Sequence, residues 1–132
     1  PFSMAFLEVF ESMDKHERFL NHCQGGKDRT GILMMIVLKA LGVKEKYILK
    51  DYILSNKERK AKNKWRIQTA RKQSGHWYCG YVMKLLCINK KKYLKLSLKT
   101  INQRYGSFDK YLNEHFGISP ERVADWREYY LE

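Results

Sequence analysis

The 132-residue chain has few of the features that define disulfide-rich, membrane-spanning or low-complexity proteins. It contains 3 cysteines, an odd number without a CxxC pair, which argues against a disulfide framework and against a zinc site. With 2 prolines and 8 glycines it is not a low-complexity chain. Its longest apolar run is far shorter than a bilayer span, and its start shows no secretory signal.

Acidic residues are also scarce. The chain has 14 Asp and Glu against 26 Lys and Arg, which gives a net charge of +12. A field of this sign attracts polyanions such as phosphorylated proteins, anionic lipid headgroups and nucleic acids. Hydrophobic residues make up 44% and aromatic residues 14%, enough to form a core and to exclude disorder. We therefore predict one folded domain over residues 1–132.

The most informative stretch is residues 22–31, with the sequence HCQGGKDRTG. Residues 18–21 before it are predicted to form a short buried strand, and the apolar run 32–38 after it a buried helix. A strand, a glycine-bearing loop and a helix in this order aim backbone N–H groups and a helix N-terminus at an anion. Gly25 and Gly26 allow the φ values that turn successive amides inward.

The side chains of this loop suit the cleavage of a phosphate ester. A free cysteine has a pKa of about 8.5, which a helix N-terminus and nearby cations lower, so Cys23 is a candidate nucleophile. Arg29 carries a forked guanidinium that can hold two phosphate oxygens, and Lys27 adds a second cation. The hydroxyl of Thr30 is positioned to donate to the Cys23 sulfur, and His22 can hold the loop through its ring nitrogens.

Cysteine, five residues, arginine and then Thr-Gly resembles the signature of the cysteine-dependent protein tyrosine phosphatase superfamily. The longer string HCxxGKDRTG resembles its tyrosine/serine phosphatase family, whose secreted mycobacterial members also dephosphorylate phosphoinositides. His22, Cys23 and residues 26–31 match that string, while Gly25 stands where the family often has alanine. Residues 47–56 and 104–119 also resemble this family, whereas residues 57–80 match it poorly.

The resemblance implies a role for each residue of the loop. Cys23 is the nucleophile that forms a phosphocysteine intermediate, and Arg29 stabilises the transition state together with the loop amides. Asp28 corresponds to the aspartate proposed in the family as general acid, and Lys27 to a lysine associated with inositol-phosphate headgroups. No metal or other cofactor is implied. The implied phosphate-binding loop consists of Gln24, Gly25, Gly26, Lys27, Asp28 and Arg29.

Simpler interpretations of the same residues stay open. Cys23 can be an inert packing residue, Lys27 a solvated charge, and Asp28 a partner of Lys27 or a stabiliser of the helix N-terminus. We expect a phosphorylated protein or a phosphoinositide as substrate and no nucleic acid. The rivals are a lipid or RNA 5′-phosphatase with the same loop, and a non-catalytic basic module that binds nucleic acid. A reduced cytoplasm suits a catalytic thiol, but the sequence does not decide the location.

By resemblance we expect an α/β fold, in which a central sheet of four or more strands is flanked by helices. The apolar periodicity predicts helices over residues 2–14, 30–41, 44–54, 57–72, 77–87 and 90–105, then one through 111–112 and one from Pro120. Only one strand is predicted, and 21 residues precede His22. We therefore expect the C-terminal portion of a longer catalytic domain, with self-association or another chain completing the sheet.

Two segments after the loop have more than one interpretation. Residues 57–72 are strongly basic, so they form either a solvated helix or a lid that adds positive charge to the rim of the active site. In either case we expect an apolar ridge of Trp65, Ile67 and Ala61. Residues 77–87 are predominantly apolar and are predicted to form a core helix, in which Cys79 and Cys87 are packing residues.

Overall fold

The computed structural model of the chain describes residues 2–131, and the backbone within them forms helices joined by turns and irregular segments. Every predicted helix is present, although α2 begins two residues before Thr30 and α3 extends beyond Leu54. The helices are α1 (Phe2–Asp14), α2 (Asp28–Ala40), α3 (Glu45–Glu58), α4 (Lys60–Ser74), α5 (Trp77–Cys87), α6 (Lys91–Tyr105), α7 (Phe108–Phe116) and α8 (Pro120–Tyr130).

The last helices begin and end at the residues that the sequence indicates. The Ser107 hydroxyl accepts a hydrogen bond of 3.1 Å from the backbone N–H of Lys110 at the start of α7. Gly117 ends α7 with a φ of 66°, a value that favours glycine. Ser119 and Pro120 then open α8 in the order cap, proline. The predicted signals at these helix ends are confirmed.

The core is built around α2, whose apolar face is almost fully buried. It is contacted by α3 and α6, while α1, α7 and α8 contribute buried residues to the same core. Burial of this many apolar side chains provides the main driving force for folding. The buried hydrophobic residues of this core are Phe10, Met13, Leu33, Met35, Ile36, Val37, Ala40, Ile48, Leu49, Tyr52, Leu94, Leu98, Phe108, Leu112, Phe116, Ile118 and Trp126.

Asp14 connects the first helix to the last. Its carboxylate accepts hydrogen bonds of 2.9 Å from Trp126 Nε1 and of 3.1 Å from Arg122 Nε. The Phe10 ring stacks on the Trp126 ring with 5.7 Å between centroids. The polar end of the buried tryptophan thus has a partner, which a buried N–H group requires.

The α/β architecture predicted from the resemblance is wrong for this structure, because residues 2–131 contain no β-strand. Residues 18–21, predicted as a buried strand, have irregular backbone, and Leu20 is 89% exposed. A strand is stable only when its backbone groups pair with another strand, and the described residues offer no second one. The helices bury a core without a sheet, and self-association stays a prediction.

Helices α4 and α5 pack along each other and form a hairpin, here called the α4–α5 hairpin (residues 60–87). Its base is attached to α3 through Asn89, which exchanges hydrogen bonds of 2.8 and 2.9 Å with Asn56. The predicted ridge is wrong in part, since Trp65 and Ala61 are exposed and Asn63 is the buried residue of α4.

The prediction of a core helix over residues 77–87 is also wrong. Helix α5 has the predicted bounds, but within it only Gly80 and Cys87 are buried. A helix that is apolar on all sides is normally surrounded by protein. Here α4 covers one side, and the opposite side faces solvent. Within residues 2–131, no helix is long and apolar enough to cross a membrane.

Candidate active site

The loop before α2 folds back on itself. The backbone N–H of Gly26 donates to the carbonyl of Cys23 at 3.1 Å, and Gly26 has a φ of 56°. Helix α2 follows directly, with a hydrogen bond of 2.8 Å from the Gly31 N–H to the Lys27 carbonyl. The first amides of a helix have no partners within the helix and carry partial positive charge. The loop therefore brings Cys23 close to an electropositive helix end.

The glycines of this loop meet different constraints. A Cβ atom on Gly31 would lie 2.6 and 2.8 Å from ring carbons of Tyr52, so the close approach of α2 to α3 requires glycine there. A Cβ on Gly25 would meet nothing within 4 Å, and its φ is not positive. The structure therefore accommodates alanine at residue 25, the residue that the resemblance associates with this position.

The environment of Cys23 favours its thiolate. Burial opposes ionisation, but hydrogen bonds from the Thr30 hydroxyl and from the backbone of Thr30, Lys27 and Gly25 outweigh it and lower the pKa of Cys23 to about 6. The Thr30 hydroxyl is buried and has no partner within ordinary hydrogen-bond geometry among the described residues, but it lies close enough to the sulfur to lower the pKa of Cys23. Cys23 is therefore largely ionised at neutral pH, as a thiol nucleophile must be.

Cys23 opens into a cavity of about 320 Å³ between the phosphate-binding loop and the α4–α5 hairpin. The loop side is polar and charged, and the hairpin side adds both cationic and apolar groups. A cavity of this kind can hold an anion at the loop and an organic group against the hairpin. Its lining residues are Cys23, Gly25, Lys27, Asp28, Arg29, Arg59, Arg66, Met83, Leu86 and Cys87.

Two cations connect the loop to the hairpin. Lys27 Nζ donates to the Leu86 carbonyl at 2.8 Å and lies 2.9 Å from an Asp28 carboxylate oxygen. The Arg59 guanidinium, at the junction of α3 and α4, donates to the Gly25 carbonyl. The side chain of Lys27 is only 13% exposed. Lys27 is therefore a partly buried link in this structure and not a fully solvated charge.

Asp28 is the first residue of α2, and its carboxylate has two partners. One is Lys27, and the other is the hydroxyl of Tyr52. Burial, together with the negative charge of Asp28 and its hydrogen bond, raises the pKa of Tyr52 to about 12. The pairing with Lys27 agrees with the structural interpretation of Asp28, and Asp28 also lines the cavity of Cys23.

The remaining predicted site residues lie around the same loop. Arg29 is exposed and lines the cavity, and Gln24 is exposed. His22 is also exposed, and its ring makes no hydrogen bond within residues 2–131, so the structure does not show the predicted contact with the loop. No group of three or more His, Cys, Asp or Glu side chains in the described part of the chain could hold a metal ion.

Sequence reasoning did not identify Arg59 and Arg66 as site residues, although one interpretation of residues 57–72 was a lid that adds positive charge to the rim of the active site. Both line the cavity across from Cys23. The available signal was charge: residues 59–108 contain no Asp or Glu, yet they hold more than half of the 26 Lys and Arg. Such a cationic region attracts anions, and here part of it lines the same cavity as Cys23.

The sequence profile of the tyrosine phosphatase family matches residues 2–132. The chain belongs to the tyrosine phosphatase family. It is also 34% identical over 128 residues to a Cupriavidus necator protein named as a candidate tyrosine-protein phosphatase. The match covers 96% of this chain and 44% of that protein, so the chain spans less than half of the relative.

A second relative is the triple specificity protein phosphatase PtpB of Mycobacterium tuberculosis. It is 49% identical to this chain over 37 residues, which are 28% of this chain and 13% of PtpB. Membership of the tyrosine phosphatase family agrees with a cysteine of lowered pKa beside a helix N-terminus. The resemblance inferred from the ten-residue string is thereby confirmed.

Proposed function

We propose that this member of the tyrosine phosphatase family hydrolyses phosphate monoesters through a phosphocysteine intermediate. The observation that carries the proposal is the cluster of donors around the Cys23 sulfur. The backbone of Gly25, Lys27 and Thr30 and the Thr30 hydroxyl all lower its pKa. The same backbone groups can receive the oxygens of a phosphate bound over the sulfur.

In the first step the Cys23 thiolate attacks phosphorus. An S–P bond forms, the ester P–O bond breaks, and the leaving oxygen takes a proton. Arg29 lines the cavity and can bind two of the equatorial phosphate oxygens in this transition state. In the second step a water oxygen attacks phosphorus, the S–P bond breaks, and inorganic phosphate leaves. The Thr30 hydroxyl, which helps to lower the pKa of Cys23, can then donate to the departing thiolate.

Asp28 is the proposed source of the leaving-group proton. Its position on the cavity wall beside the loop supports this role. After the first step its carboxylate would accept the proton of the attacking water, so the residue acts as acid and then as base. In the described structure it pairs with Lys27, and the role therefore requires that Lys27 turns to the substrate.

The proposed substrate is a phosphorylated tyrosine side chain, with a phosphoinositide headgroup as the second candidate. Apolar groups of Met83 and Leu86 on the cavity wall can contact an aromatic ring. Arg59 and Arg66 on the same wall favour a substrate that carries a further phosphate. A phosphopeptide would therefore contact mainly the apolar groups of this wall, and a bisphosphorylated headgroup mainly its two arginines.

Phosphate release from a panel of substrates tests the proposal. The chain should release phosphate from a phosphotyrosine peptide and from soluble phosphoinositides, and Cys23→Ser should abolish this release. Cys79→Ser should retain the activity, since Cys79 is not part of the cavity. Orthovanadate should inhibit competitively, whereas EDTA should have no effect. Activity in the Cys23→Ser variant would contradict the proposed mechanism.

A further inference from the structure

The outer face of α5 is a continuous apolar stripe. Exposed apolar residues recur along it at intervals of four residues in two adjacent rows, so that they share one side of the helix. The opposite side packs on α4, where Gly80 lies against Ile67 and Arg71. The stripe, here called the α5 outer face, consists of Trp77, Tyr78, Tyr81, Val82, Leu85 and Leu86.

The hairpin that carries this stripe is also strongly basic, without any compensating acid. Helix α4 carries exposed cations along its length, and neither helix of the hairpin contains Asp or Glu. An exposed apolar surface normally marks a binding site. A partner that also complements this charge must be both negatively charged and apolar. The exposed cations of α4 are Lys60, Lys62, Lys64, Arg66, Arg71 and Lys72.

The residue types of the stripe favour a lipid surface over the other polyanions. Tryptophan and tyrosine concentrate where headgroups meet acyl chains, because one end of each ring is apolar and the other polar. Single-stranded nucleic acid would use the aromatic rings for stacking, but it offers little to Val82, Leu85 and Leu86. Aromatic and leucine side chains together with lysine and arginine are the residue types of helices that lie in a membrane interface, and the two helices of the hairpin expose all of them.

The stripe is also continuous with the candidate active site. Leu86 belongs to the α5 outer face, lines the cavity of Cys23, and accepts a hydrogen bond from Lys27 through its carbonyl. Arg66 is among the α4 cations and lines the same cavity. A surface that contacts the hairpin therefore lies beside the mouth of this cavity, so phosphate groups at that surface would be close to it.

We infer that the α4–α5 hairpin docks on an anionic phospholipid bilayer, with the α5 outer face in the interface and the α4 cations on the headgroups. This inference concerns binding alone and does not depend on whether Cys23 is catalytic. It extends the proposed function by giving the enzyme a membrane surface as its working site. The bilayer is bound from one side, as expected for an interfacial helix.

Vesicle sedimentation tests the docking. Vesicles of phosphatidylcholine with about 30 mol % phosphatidylserine should bind the chain, and vesicles of phosphatidylcholine alone should bind it at least about tenfold more weakly, because each cation near an anionic surface contributes to affinity. Raising the salt concentration to about 0.5 M should weaken binding further, because the Debye length shrinks. The Cys23→Ser variant should bind like the native chain, which separates this test from that of catalysis.

Two pairs of substitutions identify the surface. Trp77→Ser with Tyr81→Ser, which are 71% and 58% exposed, should reduce binding about tenfold or more. The matched control is Leu96→Ser with Tyr47→Ser, which are 63% and 53% exposed and lie on α6 and α3. This control should bind normally. All four side chains are exposed, so each variant should melt at the native temperature.

Charge reversal provides an independent comparison. Lys62→Glu with Lys72→Glu on α4 should reduce binding to the anionic vesicles about tenfold or more. Lys44→Glu with Lys50→Glu at α3 changes the net charge equally and should have a much smaller effect. All four lysines are exposed. Both double variants have the same net charge, so the difference between their vesicle affinities measures how much the hairpin cations contribute to binding.

Several results would overturn the inference. One is the absence of vesicle binding at low salt, and another is an equal loss of binding in the hairpin variants and their controls. Light scattering could also show an oligomer that the Trp77→Ser, Tyr81→Ser variant converts to a monomer, which would assign the stripe to a second copy. Tighter binding to a single-stranded oligonucleotide, lost in the same variant, would assign it to nucleic acid.

Discussion

Replacing Thr30 by valine removes the hydroxyl that faces the Cys23 sulfur and keeps a side chain of similar shape. The hydroxyl is one of the groups that lower the pKa of Cys23 to about 6. A hydrogen bond to a charged group contributes about 1.5–3 kcal/mol, and one pKa unit corresponds to about 1.4 kcal/mol. Thr30→Val should therefore raise the pKa of Cys23 by about one to two units.

The lowered pKa of Cys23 in the native loop determines how much faster this thiol should react than an ordinary cysteine. At pH 6 a thiol with a pKa of about 6 is half ionised, about 500 times more than a thiol at the reference value of 9.0. Its thiolate is less nucleophilic, by about 20-fold for a pKa that is three units lower. Cys23 should thus react about 25 times faster than an ordinary cysteine at pH 6, but only about 5 times faster at pH 7.

The assay is alkylation by iodoacetamide between pH 4 and pH 10, with each cysteine followed by peptide mass spectrometry. The rate at Cys23 should rise with pH to a plateau, with its midpoint near pH 6. Thr30→Val should move the midpoint upward, while Thr30→Ser, which keeps the hydroxyl, should leave it in place. Cys87 is buried and should react slowly throughout.

Two outcomes would refute this reasoning. A native midpoint near pH 9 would mean that the loop does not stabilise the thiolate. A native midpoint near pH 6 that Thr30→Val leaves unchanged would mean that the backbone groups alone determine it, and that the hydroxyl has another role. Equal labelling of Cys23 and Cys79 at pH 6 would also contradict a specially reactive Cys23.

Three further substitutions test the site. Asp28→Asn should lower turnover about 10²–10⁴-fold if Asp28 protonates the leaving group. The loss should be smaller for aryl phosphates that have acidic leaving groups. A loss of equal size for all leaving groups would mean that Asp28 only shapes the loop. Arg59→Gln should lower kcat/KM about tenfold through the lost charged hydrogen bond, whereas the exposed Lys57→Gln should not. Gly31→Ala should destabilise the fold by about 1–3 kcal/mol, because the added Cβ would overlap the ring of Tyr52 in α3. Gly25→Ala should leave the melting temperature unchanged, and equal melting of the two alanine variants would disprove this account of the loop.

The environment of Cys23 could be predicted from the sequence because the groups that determine it are local, whereas phosphate binding by the loop stays a prediction. The groups that lower the pKa of Cys23 come from residues 25–30, at most seven positions away. Glycine conformations, helix N-terminal amides and a neighbouring hydroxyl follow from the order of residues alone. The helix ends at Ser107, Gly117 and Ser119 were predictable for the same reason, since caps act within three or four residues.

The sheet and the surroundings of α5 depend on distant partners, and here the sequence misled. Residues 18–21 needed a second strand that no residue in 2–131 supplies. The apolar residues of α5 indicated burial, because periodicity reports how apolar a helix is and not whether anything covers it. In the structure α4 covers only one side of α5, so the apolar residues on the other side of α5 form an exposed stripe.

The hydrogen bonds that connect loop and hairpin also determine which experiments can separate membrane docking from catalysis. Arg59 reaches Gly25 across 34 positions of sequence, and Lys27 reaches Leu86 across 59. A phosphate held by Lys27 must compete with the Leu86 carbonyl for the same ammonium group. Substitutions near Leu86 would therefore alter the loop and the stripe together. Trp77 and Tyr81 lie outside the cavity lining, so their loss changes the surface while the loop keeps its contacts.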